Sequence, residues 1–382
     1  MFFIHNAHIK TMAGTDIENG AILVENGKIV SVGTDLTAPK GAQIIDAEGR
    51  LVTPGCIEAH CHIGLDNEAL RWEGADYNES TDPITPHMRA IDSFNPMDGM
   101  ISAAIRGGVT TACAGPGSAN VVGGTFLVAK LVGKRIDKMI VVQDVAMKCA
   151  FGENPKSVYG QNKHSPKTRM ATAALLRELL FKARDYQQEK DAGNNPKFDM
   201  KLEAMLPVMR GEIPLKAHAH RADDIFTSIR IAKEFGLKLT LDHCTEGALI
   251  ADELATEPYP ALVGPSFTSK SKPELTNKTF ETAGVLHKAG VQVCIITDAP
   301  VISIESLPMC AGLASRAGLP YEEAWKAITI TPAKVLGIAD RVGSLEPGKD
   351  ADIVIWKDDP LRCIGGDAYM TIVDGKIVHS AN

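Results

Sequence analysis

The stretch IEAHCHIG, residues 57–64, places two histidines two positions apart inside an apolar run. Successive side chains of a β-strand point to opposite faces, so His60 and His62 would share one face, about 6.6 Å apart along the strand. Two imidazoles at that spacing can reach one metal ion, but such a pair is also common as ordinary hydrogen-bonded histidines. The choice depends on the rest of the chain.

Three later apolar segments end in similar polar residues. LKAHAH ends with His218 and His220, TLDHC contains His243, and IITDAP contains Asp298. In a barrel of parallel strands all C-terminal strand ends meet at one mouth, so these side chains would converge although they are distant in sequence. Neutral imidazoles with a carboxylate suit Zn²⁺, and also manganese, iron or nickel.

The segments between these motifs predict the scaffold. Apolar strand candidates alternate with helix-like segments such as residues 170–190 and 223–236, which is typical of a parallel sheet or a (β/α) barrel. The glycine-rich residues 114–124 match neither a dinucleotide nor a Walker pattern, and we interpret them as a flexible loop at the mouth. Residues 185–198 are polar and rich in Gly and Asn, which predicts a surface loop.

Both ends of the chain have a β pattern. Asn26-Gly27 lies between two apolar runs, a pair that favours a tight hairpin turn, and Asp374-Gly375 repeats the same GKIV context. We predict one small β-sandwich from residues 1–54 plus 340–382 and a barrel from residues 55–339. The predicted fold class is therefore α/β, a (β/α)8 TIM-type barrel with a β-sandwich built from the two termini.

Composition limits the partners. The chain has 382 residues and a net charge of −7 with mixed signs, so no basic face for nucleic acid or anionic membranes is expected. Eight cysteines without a Cys-x-x-Cys pair indicate reduced, buried thiols, and the absence of a signal-like start or membrane-length apolar run predicts a cytoplasmic protein. We expect a small-molecule substrate as the partner, and homo-oligomer formation stays open.

The motifs together resemble the amidohydrolase superfamily, metal-dependent hydrolases with a (β/α)8 barrel and a β-sandwich from both termini. The matching stretches are TPGCIEAHCH (53–62), KAHAH (216–220), LDHC (241–244), ITDAP (296–300) and TITPAKVLGIADRVGSLEPGKDADIVIW (329–356). The resemblance spans nearly the whole chain. Glu58 stands where the family usually has Asp, and we expect it to support the ligands rather than bind metal.

The resemblance implies a role for each motif residue. It makes His60 and His62 ligands of the more buried metal, His218 and His243 ligands of the second, and Asp298 both a ligand of the first metal and the general base. A carboxylate beside a metal-bound water can take its proton and later deliver it to a leaving amine. The ordinary alternative for Asp298 is a helix N-cap.

Lys148 is the sixth metal ligand that the resemblance implies. A fourth-strand lysine carboxylated by carbon dioxide bridges the two metals in binuclear members, whereas an unmodified ammonium has no lone pair to donate. The implied cofactor is Zn²⁺, two per chain. The alternative is a lysine extending from the barrel rim towards solvent, and Lys216 on the fifth strand is a competitor for the bridging role.

Three residues are assigned to the substrate. His220 follows His218 on the same face, so it could be a ligand, but we assign it to substrate contact. Arg221 could hold a substrate carboxylate with two hydrogen bonds, although an exposed arginine at the rim is more common. Tyr159 would line the pocket or pack in the core.

Within the superfamily, the branch with imidazolonepropionase-like proteins and dipeptidases is the most similar. The predicted reaction is cleavage of an amide C–N bond in a dipeptide-like, N-acyl amino acid or cyclic amide substrate, by metal-bound hydroxide with Asp298 as general base. One alternative is a mononuclear deaminase or imidazolonepropionase-like cyclic amide hydrolase, in which Lys148 is not a ligand. A non-catalytic scaffold is the other.

Overall fold

The computed structural model describes residues 1–364 and 366–381, and two eight-stranded β-sheets dominate it. Seven of the eight cysteines are buried as free thiols, and Cys363 is exposed. Within these residues no helix combines the length and apolar character needed to cross a bilayer.

The first sheet, called the terminal sheet below, is built from both ends of the chain. Its strands are β1 (Phe2–Ile9), β2 (Ile17–Glu25), β3 (Lys28–Gly33), β4 (Gln43–Asp46), β5 (Leu51–Pro54), β14 (Ile353–Trp356), β15 (Ala368–Val373) and β16 (Lys376–Ser380). The order is β16-β15-β14-β5-β1-β2-β3, with β4 on β1, and the antiparallel pair β5–β14 joins the two termini. This sheet has an apolar core of its own. The domain limits at residues 54 and 340 stay a prediction.

Both predicted hairpin turns form in this sheet. Asn26 and Gly27 have φ values of 51° and 78°, and Asp374 and Gly375 have 48° and 68°. Left-handed φ at both central residues is the geometry that suits two-residue hairpins. The two turns touch, since a Cβ added to Gly375 would lie 2.8 Å from the Cα of Gly27.

The second eight-stranded sheet forms the barrel. Its strands are β6 (Cys56–Cys61), β7 (Val109–Ala114), β8 (Val122–Lys130), β9 (Ile140–Ala150), β10 (Leu215–Ala219), β11 (Leu239–His243), β12 (Ala261–Val263) and β13 (Val293–Ile295). They follow one another in chain order from β6 to β13. The barrel closes through a connecting segment: Ile295 N–H donates to Ala327 O, and Ile57 N–H donates to Ile328 O.

Strand β8 departs from the predicted (β/α)8 pattern, because it runs antiparallel to both β7 and β9. Its first residues, Val122 to Gly124, belong to the stretch that we interpreted as a flexible loop. No described α-helix separates β7, β8 and β9, and a 3-10 helix, Ile136–Lys138, is the only helical turn described between them. Antiparallel strands need no crossover helix, because short connections can join them. The expectation of eight parallel strands with eight crossover helices is therefore wrong at this position.

The helices lie between the remaining strands and after them. They are α1 (Gly99–Arg106), α2 (Glu153–Gln161), α3 (Arg169–Asp191), α4 (Met200–Met209), α5 (Ala222–Phe235), α6 (Ala251–Leu254), α7 (Thr282–Lys288), α8 (Leu307–Arg316), α9 (Tyr321–Lys326) and α10 (Ile330–Val335). Helices α3 and α5 confirm the two helix predictions. Because α3 continues to Asp191, the predicted loop over residues 185–198 is wrong in its first half.

Candidate metal centre

The mouth of the barrel collects the predicted metal ligands from five strands and their ends. They are His60, His62, Lys148, His218, His243 and Asp298. All are buried except Asp298, whose side chain is 13% exposed. The parallel strands place their C-terminal ends at one edge, so residues distant in sequence meet there.

Two groups of potential ligand atoms form within this cluster. His60, His243 and Asp298 make one, and His218, His220 and His243 make the other, each with atoms within 4.8 Å of one another. His243 belongs to both groups. In addition, His62 Nε2 lies 3.2 Å from Asp298 Oδ1.

Each histidine is oriented through its Nδ1 atom. The partners are Asp242 Oδ2 for His60 (2.7 Å), Gly115 O for His62 (2.7 Å), Ser118 Oγ for His218 (2.9 Å), Thr245 Oγ1 for His220 (2.7 Å) and Gly264 O for His243 (2.7 Å). With Nδ1 engaged, Nε2 is the nitrogen left for a metal. Hydrogen bonds of this kind to metal-ligating histidines fix the ring orientation and the tautomer.

Several buried polar atoms at the mouth have no hydrogen-bond partner among the described residues. They include His243 Nε2, Asp298 Oδ1 and Glu274 Oε1. Unpaired buried polar groups are costly, and buried charges are normally paired or bound to metals. Imidazole and carboxylate donors with free lone pairs fit a divalent cation such as Zn²⁺.

The backbone at two ligand positions adopts a rare conformation. His243 has φ 71° and Asp298 has φ 56°, both in the left-handed region. Strand alternation alone would direct Asp242 and His243 to opposite faces, but the left-handed residue at the strand end allows both to face the cluster. Such strained residues concentrate at functional sites.

Burial favours the neutral form of four histidines of the cluster. Burial lowers the pKa values of His60, His218 and His243 well below the usual range, and it lowers that of His220 to about 4. Burial by itself would raise the pKa of Asp298, but nearby His243, His62 and Lys148 lower it overall. The set thus offers neutral imidazoles and an ionised carboxylate, the states that bind metal.

Lys148 is fully buried, and its Nζ lies 3.3 Å from His60 Nε2. Burial lowers its pKa to about 8, more than the nearby carboxylates Asp242 and Asp298 raise it. Lys216 is its register partner on β10 and lies 3.2 Å from Asp242 Oδ2. Lys216, the competitor for the bridging role, is therefore ion-paired, whereas Lys148 faces the histidines.

Glu58 connects the two ends of the barrel sheet. Its Oε2 accepts hydrogen bonds from Thr297 N–H (2.8 Å) and the Thr297 hydroxyl (2.5 Å), and its Oε1 accepts from His60 N–H (3.1 Å). Burial raises its pKa to about 7. These contacts hold the residues beside His60 and Asp298 in place, in line with the supporting role predicted for Glu58.

The residues predicted to contact substrate differ in location. His220 is in the cluster. Arg221 is half exposed, and its guanidinium pairs with Asp223 at 2.9 Å. Tyr159 is buried on α2, where its hydroxyl donates to Asn120 Oδ1 at 2.7 Å. The structure thus brings only His220 to the cluster, and the substrate roles of Arg221 and Tyr159 stay predictions.

Sequence reasoning missed two acidic residues of the site. Asp242 precedes His243 in the LDHC motif, and its level on β11 matches that of His218 on β10, a signal that register analysis could have used. Glu274 lies in the segment after β12, residues 264–281, and its Oε1 is 3.7 Å from the Nε2 atoms of His218 and His220. No motif marks Glu274.

A nearly closed barrel with a histidine and carboxylate cluster at its mouth is the arrangement expected of metal-dependent hydrolases. The chain belongs to the amidohydrolase family, whose model matches residues 51–378. It is a hydrolase that acts on carbon–nitrogen bonds.

Three relatives illustrate the similarity. The solved structure of an amidohydrolase from Thermotoga maritima MSB8 has a TM-score of 0.96 and 41% identity, with both chains covered completely. Amidohydrolase tasK of Hapsidospora irregularis is 30% identical over 93% of this chain, which spans only 39% of that longer protein. An imidazolonepropionase of Sphingopyxis alaskensis is 24% identical, with 94% of this chain and 92% of the relative covered.

Proposed function

We propose that this protein hydrolyses an amide bond of a small dipeptide-like, N-acyl amino acid or cyclic amide substrate at a centre of two divalent metal ions. Zn²⁺ is the first metal to test. The observation that carries the proposal is that two buried ligand groups share His243. Since the free Nε2 of His243 can bind one cation only, His243 would serve the second group, and His62 Nε2, which lies 3.2 Å from Asp298 Oδ1, would complete the first.

The cations would polarise the substrate carbonyl and make a bound water more acidic. His60 and His62 with Asp298 would hold one of them, and His218 and His243 the other. Asp298 Oδ1 accepts no hydrogen bond from the described residues, and its side chain is the most exposed of the cluster. Because its pKa is lowered, this carboxylate can accept the proton of the attacking water and pass it to the leaving amine.

Lys148 supplies the third element of the proposal. An amine with a pKa of about 8 is partly uncharged near neutral pH, which is the form that reacts with carbon dioxide. The resulting carbamate would carry two oxygens in place of an ammonium. Because Lys148 Nζ lies 3.3 Å from His60 Nε2, this carbamate would be among the groups that hold the cations.

A metal-removal experiment tests the proposal. Protein purified without added chelator or metal should contain about two equivalents of metal per chain, and it should hydrolyse members of a panel of dipeptides, N-acyl amino acids and cyclic amides. Chelation should abolish the activity and Zn²⁺ should restore it. Full activity in the metal-free protein would refute the mechanism.

The second candidate is a mononuclear enzyme, either a deaminase or a cyclic amide hydrolase. Two observations favour it: His60, His243 and Asp298 form a sufficient ligand group by themselves, and an imidazolonepropionase aligns over nearly the full length. One equivalent of metal, with activity on cyclic amides or release of ammonia, would identify this alternative. The scaffold hypothesis is not retained, since the family is one of hydrolases.

A further inference from the structure

Glu274 is a buried carboxylate for which the mechanism above has no use. Its side chain is 1% exposed. Oε2 accepts a hydrogen bond from Glu153 N–H at 3.1 Å, at the start of α2, whereas Oε1 accepts none within the described part of the chain. No lysine or arginine nitrogen of the described residues lies within 4.0 Å of it. An ionised carboxylate is costly to bury, and buried charges are normally paired or bound to metal.

The free oxygen of Glu274 faces two histidines. It lies 3.7 Å from His218 Nε2 and 3.7 Å from His220 Nε2, too far for a hydrogen bond. Two ligand atoms on one tetrahedral Zn²⁺, each about 2.0 to 2.2 Å from the ion, are separated by about 3.4 Å. The observed distances are therefore close to those of ligands that share a cation.

The two histidines already belong to a group of three. His218, His220 and His243 have ligand atoms within 4.8 Å of one another, and each Nδ1 is engaged by another part of the protein. Glu274 Oε1 adds an oxygen donor beside these nitrogens, and Zn²⁺ accepts both kinds of ligand.

We propose that Glu274 is a metal ligand that binds the same cation as His218 and His220. The proposal rests on the proposed function only for the presence of a cation at this position. It also makes His220 a ligand, in place of the substrate contact that the sequence suggested. The segment of residues 264–281, which carries Glu274, is then part of the metal centre, so metal binding fixes this segment beside α2.

Metal titration of the apoprotein tests this assignment without any substrate. Zn²⁺ affinities are measured by competition with a chromophoric chelator, with and without bicarbonate, for the wild type, Glu274→Gln and the control Glu281→Gln. Glu281 is an exposed residue of the same segment. Removing the ligand should weaken the less tightly bound equivalent by more than about 100-fold, since loss of a residue that only supports a ligand costs about 10- to 100-fold.

The control variant should bind Zn²⁺ as the wild type does. A weakened equivalent in Glu274→Gln both with and without bicarbonate supports the ligand role and separates it from carboxylation of Lys148. Unchanged affinity and stoichiometry in Glu274→Gln would overturn the proposal and leave the carboxylate for a substrate ammonium group. A wild type that binds no Zn²⁺ would also overturn it.

Glu274→Asp provides a second variant, because it keeps the charge and is the one to use if Glu274→Gln does not fold. Its side chain is one methylene shorter, so the less tightly bound Zn²⁺ should be weakened; wild-type affinity would overturn the assignment. Failure of the chain to hydrolyse any amide, combined with weakened Zn²⁺ binding in these variants, would refute the proposed function and retain the ligand role of Glu274.

Discussion

Lys130 and Lys148 are both buried lysines of the barrel sheet, but their surroundings are opposite. Lys130 Nζ donates to Asp350 Oδ2 (2.7 Å), to Asp352 Oδ1 (3.1 Å) and to Asp374. Burial would lower its pKa, but these three carboxylates raise it overall. Lys148 has an imidazole as its closest recorded polar neighbour, and its pKa is lowered to about 8.

The two lysines lie at opposite ends of the barrel. Lys130 lies beside the start of β7, and its hydrogen bonds connect the barrel to the terminal sheet. Lys148 lies at the mouth of the barrel. Asp350 also accepts hydrogen bonds from Lys28 and Arg341, so its charge is well compensated. At this junction between the barrel and the terminal sheet, Asp352 Oδ2 has no hydrogen-bond partner among the described residues, and at the mouth His243 Nε2, Asp298 Oδ1 and Glu274 Oε1 have none. The two buried clusters therefore differ in their cation: the carboxylates of the junction surround the ammonium group of Lys130, whereas the ligand atoms of the mouth include several imidazoles.

The largest expected effect is at the mouth. Asp298→Asn removes the proposed proton acceptor, so kcat should fall about 10²- to 10⁴-fold, while the midpoint of urea unfolding of the metal-free protein should stay the same or rise. Both quantities are measured on protein of known metal content. Wild-type activity in a fully metal-loaded variant would contradict the general-base role.

At the junction of the barrel and the terminal sheet, around Lys130, we expect a loss of stability without a loss of activity. Lys130→Met leaves buried carboxylates without their cation, so the free energy of unfolding should fall by about 3–5 kcal/mol, as for other broken buried ion pairs. The activity per folded molecule should not change. Lys134→Met, at an exposed lysine nearby, is the control and should change stability by less than about 0.5 kcal/mol. An equally small effect for Lys130→Met would show that the junction cluster is not stabilising.

A smaller effect should distinguish the two lysines chemically. Carboxylation needs the uncharged amine, which is present above the pKa and disappears below it. With a pKa of about 8 for Lys148, the uncharged fraction is about 25-fold larger at pH 8.5 than at pH 6.5. At constant dissolved carbon dioxide, apoprotein supplied with Zn²⁺ should therefore regain activity about 25-fold faster at pH 8.5.

Lys148→Arg, which keeps a cation but cannot form the carbamate, should not regain activity under these conditions. Equal recovery rates at the two pH values, or full activity of this variant, would argue for the mononuclear alternative. Zn²⁺ binding itself varies with pH. The Zn²⁺ affinity of Lys148→Arg at the two pH values therefore provides the baseline for this comparison.

Much of this protein could be predicted from local patterns. The Asn26-Gly27 and Asp374-Gly375 turns, helices α3 and α5, and the strands that end in His60, His218 and His243 all depend on short-range rules of turn chemistry and periodicity. The antiparallel direction of β8 could not be predicted in this way. An apolar segment has the same composition whichever way it runs, and its glycines at the start suggested a loop.

By itself, the sequence determined which residue types stand at the strand ends, and hence the predicted set of histidine and aspartate ligands. The tertiary structure alone decided which of them meet: it brought Asp242 behind His60, paired Lys216 with an aspartate, placed Lys148 beside His60 and placed Glu274 against His218. The physical reason is that the position of a strand follows from the local hydrophobic pattern. The burial, ion pairing and pKa of a side chain depend on its neighbours in space, and His60 and Asp242 are 182 residues apart in the chain.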